Sequence, residues 1–348
     1  MVSIKDIAQL TGVSVATVSN VLNGKPGSAS AAKVAEILDA AEKLHYQPNA
    51  FARNLRRQQS NSLGIITEDL TVFNAPEIVN GIEEYCEEHD YEIILANLRL
   101  YKRYGNDFTD TPEHNVLFER ALDNLLAKQV AGIVYIGYHS RQVIYKPTHS
   151  DIPFVYAYCY PPDPSGFSYV MTDDEQAGYD VGYALVQRGH RNIGVISGPI
   201  ANQTALNRLR GFQKALYENG VLYNAGATTF GDWRRESGCR CAAQLLDMGI
   251  TAIFAFNDEM AGGAYACCAK RGLQVGRDIS IFGFDNLSLI EAYDPPIASV
   301  APPLNEIGRK SAELVLSQIR SDSAGRQCVL IPGTVHVRAS VADLKKNT

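Results

Sequence analysis

The sequence of 348 residues contains no apolar run of 18 or more, the length a helix needs to span a bilayer. It also has no apolar signal core near its start, so the expectation is a cytoplasmic protein, neither exported nor membrane-spanning. Seven cysteines, at 86, 159, 239, 241, 267, 268 and 328, form no CxxC pair and no zinc spacing with histidine. They are expected to be buried small hydrophobes in a reducing compartment, with no metal site and no cofactor. GxGxxG, GKS/T and GxSxG are all missing and the seven histidines are scattered, which argues against nucleotide chemistry and against catalysis.

Apolar residues make up 46% of the chain and charged residues 20%, a composition that can bury a large core over two or three domains. Net charge is −6, yet residues 1–61 carry seven Lys/Arg against four Asp/Glu. A small basic head on an acidic body fits a nucleic-acid-binding module joined to something else.

That head contains the stretch GVSVATVSNVLNG. At 100° per residue, Val18, Val21 and Leu22 share one face, and Val15, Ala16, Ser19 and Asn20 lie on roughly the opposite one. The second face is small and uncharged where a surface helix ordinarily shows Lys and Glu. Ser14 is placed to cap this helix and Asn23-Gly24 to end it. Upstream, SIKDIAQLTG predicts a first helix with Ile4, Ile7 and Ala8 inward, capped by Ser3 with Asp6 three residues on. Two short helices across Thr11-Gly12-Val13 form a helix-turn-helix, whose second helix can enter the major groove. A third helix is expected from Ala31 to His45, with Val34, Ile37, Leu38, Ala41 and Leu44 as its apolar stripe and Ser30 as cap. The headpiece is bounded at 1–46. Beyond it, QPNAFARNLRRQQSNS has room for only a short helix, unstable alone in water, so 47–61 reads as either a disordered linker or a helix that folds only when something holds it.

From Leu63 the pattern alternates apolar strands with amphipathic helices, twice over. Such alternation implies parallel sheets covered on both faces, here an α/β core at 62–340 of two doubly wound lobes. Ligands in such sheets bind beyond the carboxyl ends of the strands.

IKDIAQLTGVSVATVSNVLNG, LHYQPNAFARNL, SLGII, QRGHRNIGVISG, RLRGFQKAL, AIFAFNDEMAGGA, ISIFGFDN and YDPPIASVAPPLNEIGRKSAELVL, in this order, resemble the lactose-repressor (LacI/GalR) family of bacterial regulators. The likeness runs from residue 2 to about 340. It implies a homodimer that binds double-stranded operator DNA through headpiece and hinge helix. It further implies a core like a periplasmic sugar-binding protein, with a small-molecule effector between the lobes and the last helix (303–320) returned to the first lobe. The lobes would be about 62–160 with 292–320, and 161–291 with 321–340. No leucine heptads follow residue 340, so a dimer is expected rather than a tetramer.

Carried over by residue, the resemblance puts base contacts at Val15, Ala16 and Asn20 and phosphate contacts at Ser14, Thr17, Ser19 and Asn23. Family members commonly have Arg where this chain has Asn20, and Asn suits adenine where Arg suits guanine. In the hinge, Leu55 would be the apolar wedge in the minor groove, with Asn49, Ala52 and Arg53 facing groove and backbone. The effector would meet Phe73, Tyr158, Arg208, Trp233, Asn257 and Asp285, with Asp258 a helix cap. Asp173-Asp174 would cap a helix at the lobe junction. A cation, carboxylate, amide and flat ring suit a sugar, hence a repressor of carbohydrate-utilisation genes. A purine or nucleoside effector fits the same scaffold, and a sugar receptor without DNA binding is the other rival. Tyr158 stands where the family often has an acidic residue. With Tyr160, and with Tyr101 and Tyr104 of an unusually long connection at 99–115, it implies either a larger ligand or simple packing of tyrosines.

Overall fold

A computed structural model describes residues 2–46, 60–105, 111–138, 140–148, 151–320 and 325–347. The chain divides into two compact units, 1–60 and 61–348.

In the first unit, α1 (Ile4–Thr11), α2 (Val15–Leu22) and α3 (Ala31–Lys43) pack around Ile7, Ala8, Val18, Val21, Ile37, Ala40 and Ala41. Asp6 accepts from the Ser3 backbone N–H at 2.8 Å, which occupies one of the donors a helix start leaves unpaired. Gly12 turns the chain in the left-handed region at φ 65, a conformation that side chains resist. Leu38 departs from the expected stripe and is 49% exposed, while Val34, Ile37 and Ala41 of the same helix supply the headpiece core.

In the second unit, β1 (Ser62–Thr67), β2 (Glu92–Asn97), β3 (Gly132–Ile136), β4 (Phe154–Ala157), β5 (Ser168–Thr172) and β11 (Cys328–Ile331) form one parallel sheet, ordered β11-β5-β4-β3-β1-β2. A second parallel sheet, ordered β7-β6-β8-β9, comprises β6 (Ile193–Ser197), β7 (Thr228–Phe230), β8 (Ala252–Ala255) and β9 (Ser280–Phe282). An antiparallel pair, β10 (Ser299–Ala301) and β12 (Thr334–His336), completes the strands of the described residues. The expected assignment of 161–291 and 321–340 to the second lobe therefore fails at Ser168–Thr172 and Cys328–Ile331. These short segments lack a periodic signature of their own, and their hydrogen bonds with β4 and with each other place them in the first sheet.

Helices α4 (Ala75–Glu87), α5 (Leu100–Tyr104), α6 (Pro112–Ala127) and α11 (Leu304–Arg320) serve the first sheet. The return of α11 against α4, β3, β4 and β5 matches what the resemblance implied. On the second, α7 (Asp174–Gln187) packs on α8 (Gln203–Glu218), and α9 (Arg235–Leu246) on α10 (Asp258–Lys270). The α7–α8 crossing is close enough that a Cβ on Gly178 would meet the Arg208 carbonyl, and one on Gly211 the Glu175 carbonyl. Glycine at both positions fixes how near the Arg208 side chain comes to the start of α7. The core does not stop at 340: the Leu344 N–H reaches the Arg188 carbonyl at 2.8 Å.

Candidate functional sites

On the headpiece, Ser14, Val15, Ala16 and Asn23 are exposed and Thr17 and Asn20 half-buried. The Ser14 hydroxyl accepts from Thr17 N–H at 3.0 Å and lies 2.9 Å from the Thr17 hydroxyl. Asn23 donates its amide to the Ser19 carbonyl at 2.6 Å. Ser19 itself is 3% exposed, so it does not belong to the outward face, and its expected phosphate contact is not available to it in this conformation. The helical wheel places Ser19 on the face roughly opposite the apolar stripe, and the packed headpiece buries it all the same. Asn49, Ala52, Arg53 and Leu55 lie outside the described residues.

In the core, Arg208 on α8 is 4% exposed. Its Nε donates to Asp174 Oδ1 at 2.8 Å, its Nη1 to the Phe256 carbonyl, and its guanidinium lies 3.3 Å from the Phe284 ring centroid. A charge is tolerated there because it is paired, hydrogen-bonded and stacked. Asp174, the first residue of α7, completes the pair; Asp173 is the cap, accepting from Gln176 N–H at 2.9 Å. The guanidinium is committed to Asp174, and Asp285 feels it only as a nearby charge.

Asp285 follows β9 at φ 106. Burial pushes its carboxyl well above the ordinary range; Arg208 opposes this, while Asp258, Asp174 and Glu259 add to it. Tyr158, just beyond β4, is buried, and its hydroxyl is raised by burial and by Asp285 and Asp174, with Arg208 opposing. Tyr158, Asp285, Arg208 and Asp174 therefore share one electrostatic neighbourhood. Trp233 is half-buried, and its ring lies so close to Gly198 that a Cβ there would overlap it. Asn257 caps α10, accepting from Met260 N–H and donating to the Trp233 carbonyl, both at 2.9 Å. The cap is therefore Asn257 rather than Asp258. Buried Asp258 accepts instead from the Ser299 hydroxyl at 2.7 Å and Leu287 N–H at 2.8 Å. Tyr158, Trp233 and Asp285 all have positive φ. Non-glycine residues in that region store strain that tends to cluster at ligand sites.

Phe73 is 41% exposed, and no interaction ties it to this group. Sequence reading passed over Tyr138: burial, Tyr101, Asp69 and Asp285 push its hydroxyl up to about 12, and the Tyr101 ring lies tilted beside it, with centroids 5.7 Å apart. Tyr101 thus reaches the site's margin, while Tyr104 packs on His114. The signal available was the position of Tyr138, immediately after the apolar run VAGIVYIG. Cysteines 86, 159, 241, 267 and 268 are buried as expected; Cys239 is half-buried and Cys328 exposed.

The chain matches two family descriptions, "Bacterial regulatory proteins, lacI family" over residues 3–49 and "Periplasmic binding protein-like domain" over 183–341. It is 31% identical over 347 residues to the HTH-type transcriptional repressor PurR of Photobacterium profundum, covering 99% of this chain and 100% of that protein. The chain belongs to the LacI family. Catabolite control protein A of Priestia megaterium is also 31% identical, over 97% of this chain and 99% of that one. The lac repressor dimer, solved with operator and the anti-inducer ONPF, superposes with a TM-score of 0.78 at 26% identity over 98% of this chain and 99% of that one. The protein is therefore a ligand-responsive, DNA-binding transcriptional regulator, with helix-turn-helix headpiece and periplasmic-binding-protein-like core.

Proposed function

We propose that this protein is a dimeric repressor of carbohydrate-utilisation genes, and that a neutral sugar bound beside Arg208 and Asp285 controls its hold on operator DNA. The observation that carries the reading is the charge of the site. One guanidinium stands among the carboxylates of Asp174, Asp285, Asp258 and Glu259. Arg208 is already paired with Asp174, and burial pushes the carboxyls of Asp285, Asp258 and Asp174 towards their neutral forms. The buried cluster thus offers an anion no free cation and favours an uncharged ligand rich in hydroxyls. Asp285 accepts those hydroxyls, Tyr158 and Trp233 border the ring faces, and Arg208 is held by Asp174. Val15, Ala16 and Asn20 read bases, Ser14, Thr17 and Asn23 touch phosphates, and Leu55 wedges the minor groove with Asn49, Ala52 and Arg53 beside it.

A second reading has a specific support: the likeness to a PurR repressor spans nearly the whole chain, and a neutral purine satisfies the same charge argument. Calorimetry of the full chain against neutral mono- and disaccharides, hypoxanthine and guanine, followed by operator binding with each, separates the two. A sugar at 100 times its Kd should stabilise the fold by about 2.7 kcal/mol and alter operator affinity. Tight binding of a purine alone would replace the carbohydrate reading.

A further inference from the structure

A cavity of about 600 Å³ opens where α7, α8 and the β5–β11 edge of the first sheet meet. None of the six expected effector residues lines it. Its size suits a mono- or disaccharide. Two of its lining residues, Thr172 and Asp174, are each 2% exposed. Thr172 Oγ1 and Asp174 Oδ2 are buried without a hydrogen-bond partner. The nearby Thr204 hydroxyl does not relieve Asp174, since its proton goes to the Ser140 carbonyl at 2.8 Å. Buried polar atoms are seldom left so.

The other lining groups narrow the ligand. Glu175 is paired with Arg210 at 3.1 Å, and Asp173 is spent as a cap. Lys214 lies 5.7 Å from the Tyr179 ring centroid. What remains to be satisfied is an acceptor carboxylate oxygen and a hydroxyl, bordered by Tyr160 and Tyr169. Asn207 touches the Tyr160 hydroxyl only at 3.4 Å, a weak contact that an incoming donor can replace. An anion would meet Asp174 unfavourably, while a polyol can donate to Asp174 and bridge to Thr172.

We propose that this cavity is a second ligand site, distinct from the effector site, that takes a neutral polyol of mono- to disaccharide size on Asp174 and Thr172. Asp174 then joins the two sites: Oδ2 meets the polyol while Oδ1 holds Arg208, so occupancy of one biases the arrangement of the other.

Exposed Cys328 lines the cavity and reports on it. In the full chain, glucose or cellobiose at ten times its Kd should slow iodoacetamide modification of Cys328 about tenfold, because only unoccupied chains react. Thr172→Val, nearly isosteric, should abolish the protection, and Asp285→Asn in the effector site should retain it. As a check that does not depend on Thr172→Val folding, Cys328→Trp should fill the mouth and lower calorimetric stoichiometry from two sugars per chain to one. Absence of protection by either sugar overturns the proposal. So does protection lost in Asp285→Asn but kept in Thr172→Val, which would place the sugar in the effector site alone. Protection by spermidine and by neither sugar would overturn the polyol class.

Discussion

Arg208 and Asp174 form a 2.8 Å ion pair with side chains 4% and 0% exposed, binding α8 to the first residue of α7. The pair sits where the chain leaves the first sheet for the second, so the residue on which the proposed effector site is built also ties α8 to that joint. Burial outweighs the guanidinium and holds the Asp174 carboxyl above its usual range. The pair is therefore maintained by packing as much as by charge.

Asp174→Ala should destabilise the core by about 3–5 kcal/mol, because it strands a buried guanidinium. The double replacement Arg208→Met with Asp174→Leu should recover most of that loss while effector binding stays absent. Urea unfolding of both variants, with calorimetry, tests this. Equal destabilisation of single and double variants would show that the two residues do not act as a unit.

Asn20→Ala should relax preference at one base pair per operator half-site by about 1–3 kcal/mol, since a bidentate amide–base contact is lost. Selection from random duplexes with both proteins measures it. An unchanged consensus would remove Asn20 from the reading face.

Asp258 is raised from 3.8 to about 7, first by burial, with the Ser299 hydroxyl and Leu287 N–H opposing. Between those values the folded state keeps a proton that the unfolded chain has lost. Its stabilising contribution is therefore complete below about pH 4 and declines as pH rises through 7, by up to about 1.4 kcal/mol per pH unit. Asp258→Asn should remove about one proton's worth of slope over that window. Unfolding midpoints at pH 5, 6 and 8 give the answer, and parallel curves for the two proteins would assign the proton elsewhere.

The sequence by itself determined the elements whose hydrophobic period is long enough to read. The three headpiece helices, the alternation of strands with helices and the family motifs all follow from local spacing and capping, with Ser14 and Asn23 doing at the ends of α2 what their chemistry dictates. It also singled out Arg208, Asp285 and Tyr158, which the fold brings into one electrostatic neighbourhood. Tertiary structure decided what depends on neighbours distant in sequence. Ser19 is buried in the packed headpiece despite its place on the helical wheel. Ser168–Thr172 and Cys328–Ile331 joined the first sheet because a strand of four or five residues takes its place from the edge it pairs with. Arg208 took Asp174 rather than Asp285 because Gly178 and Gly211 let two helices approach closely. Pairing partners, close approaches and buried unsatisfied atoms are properties of the assembled chain, and no local period encodes them.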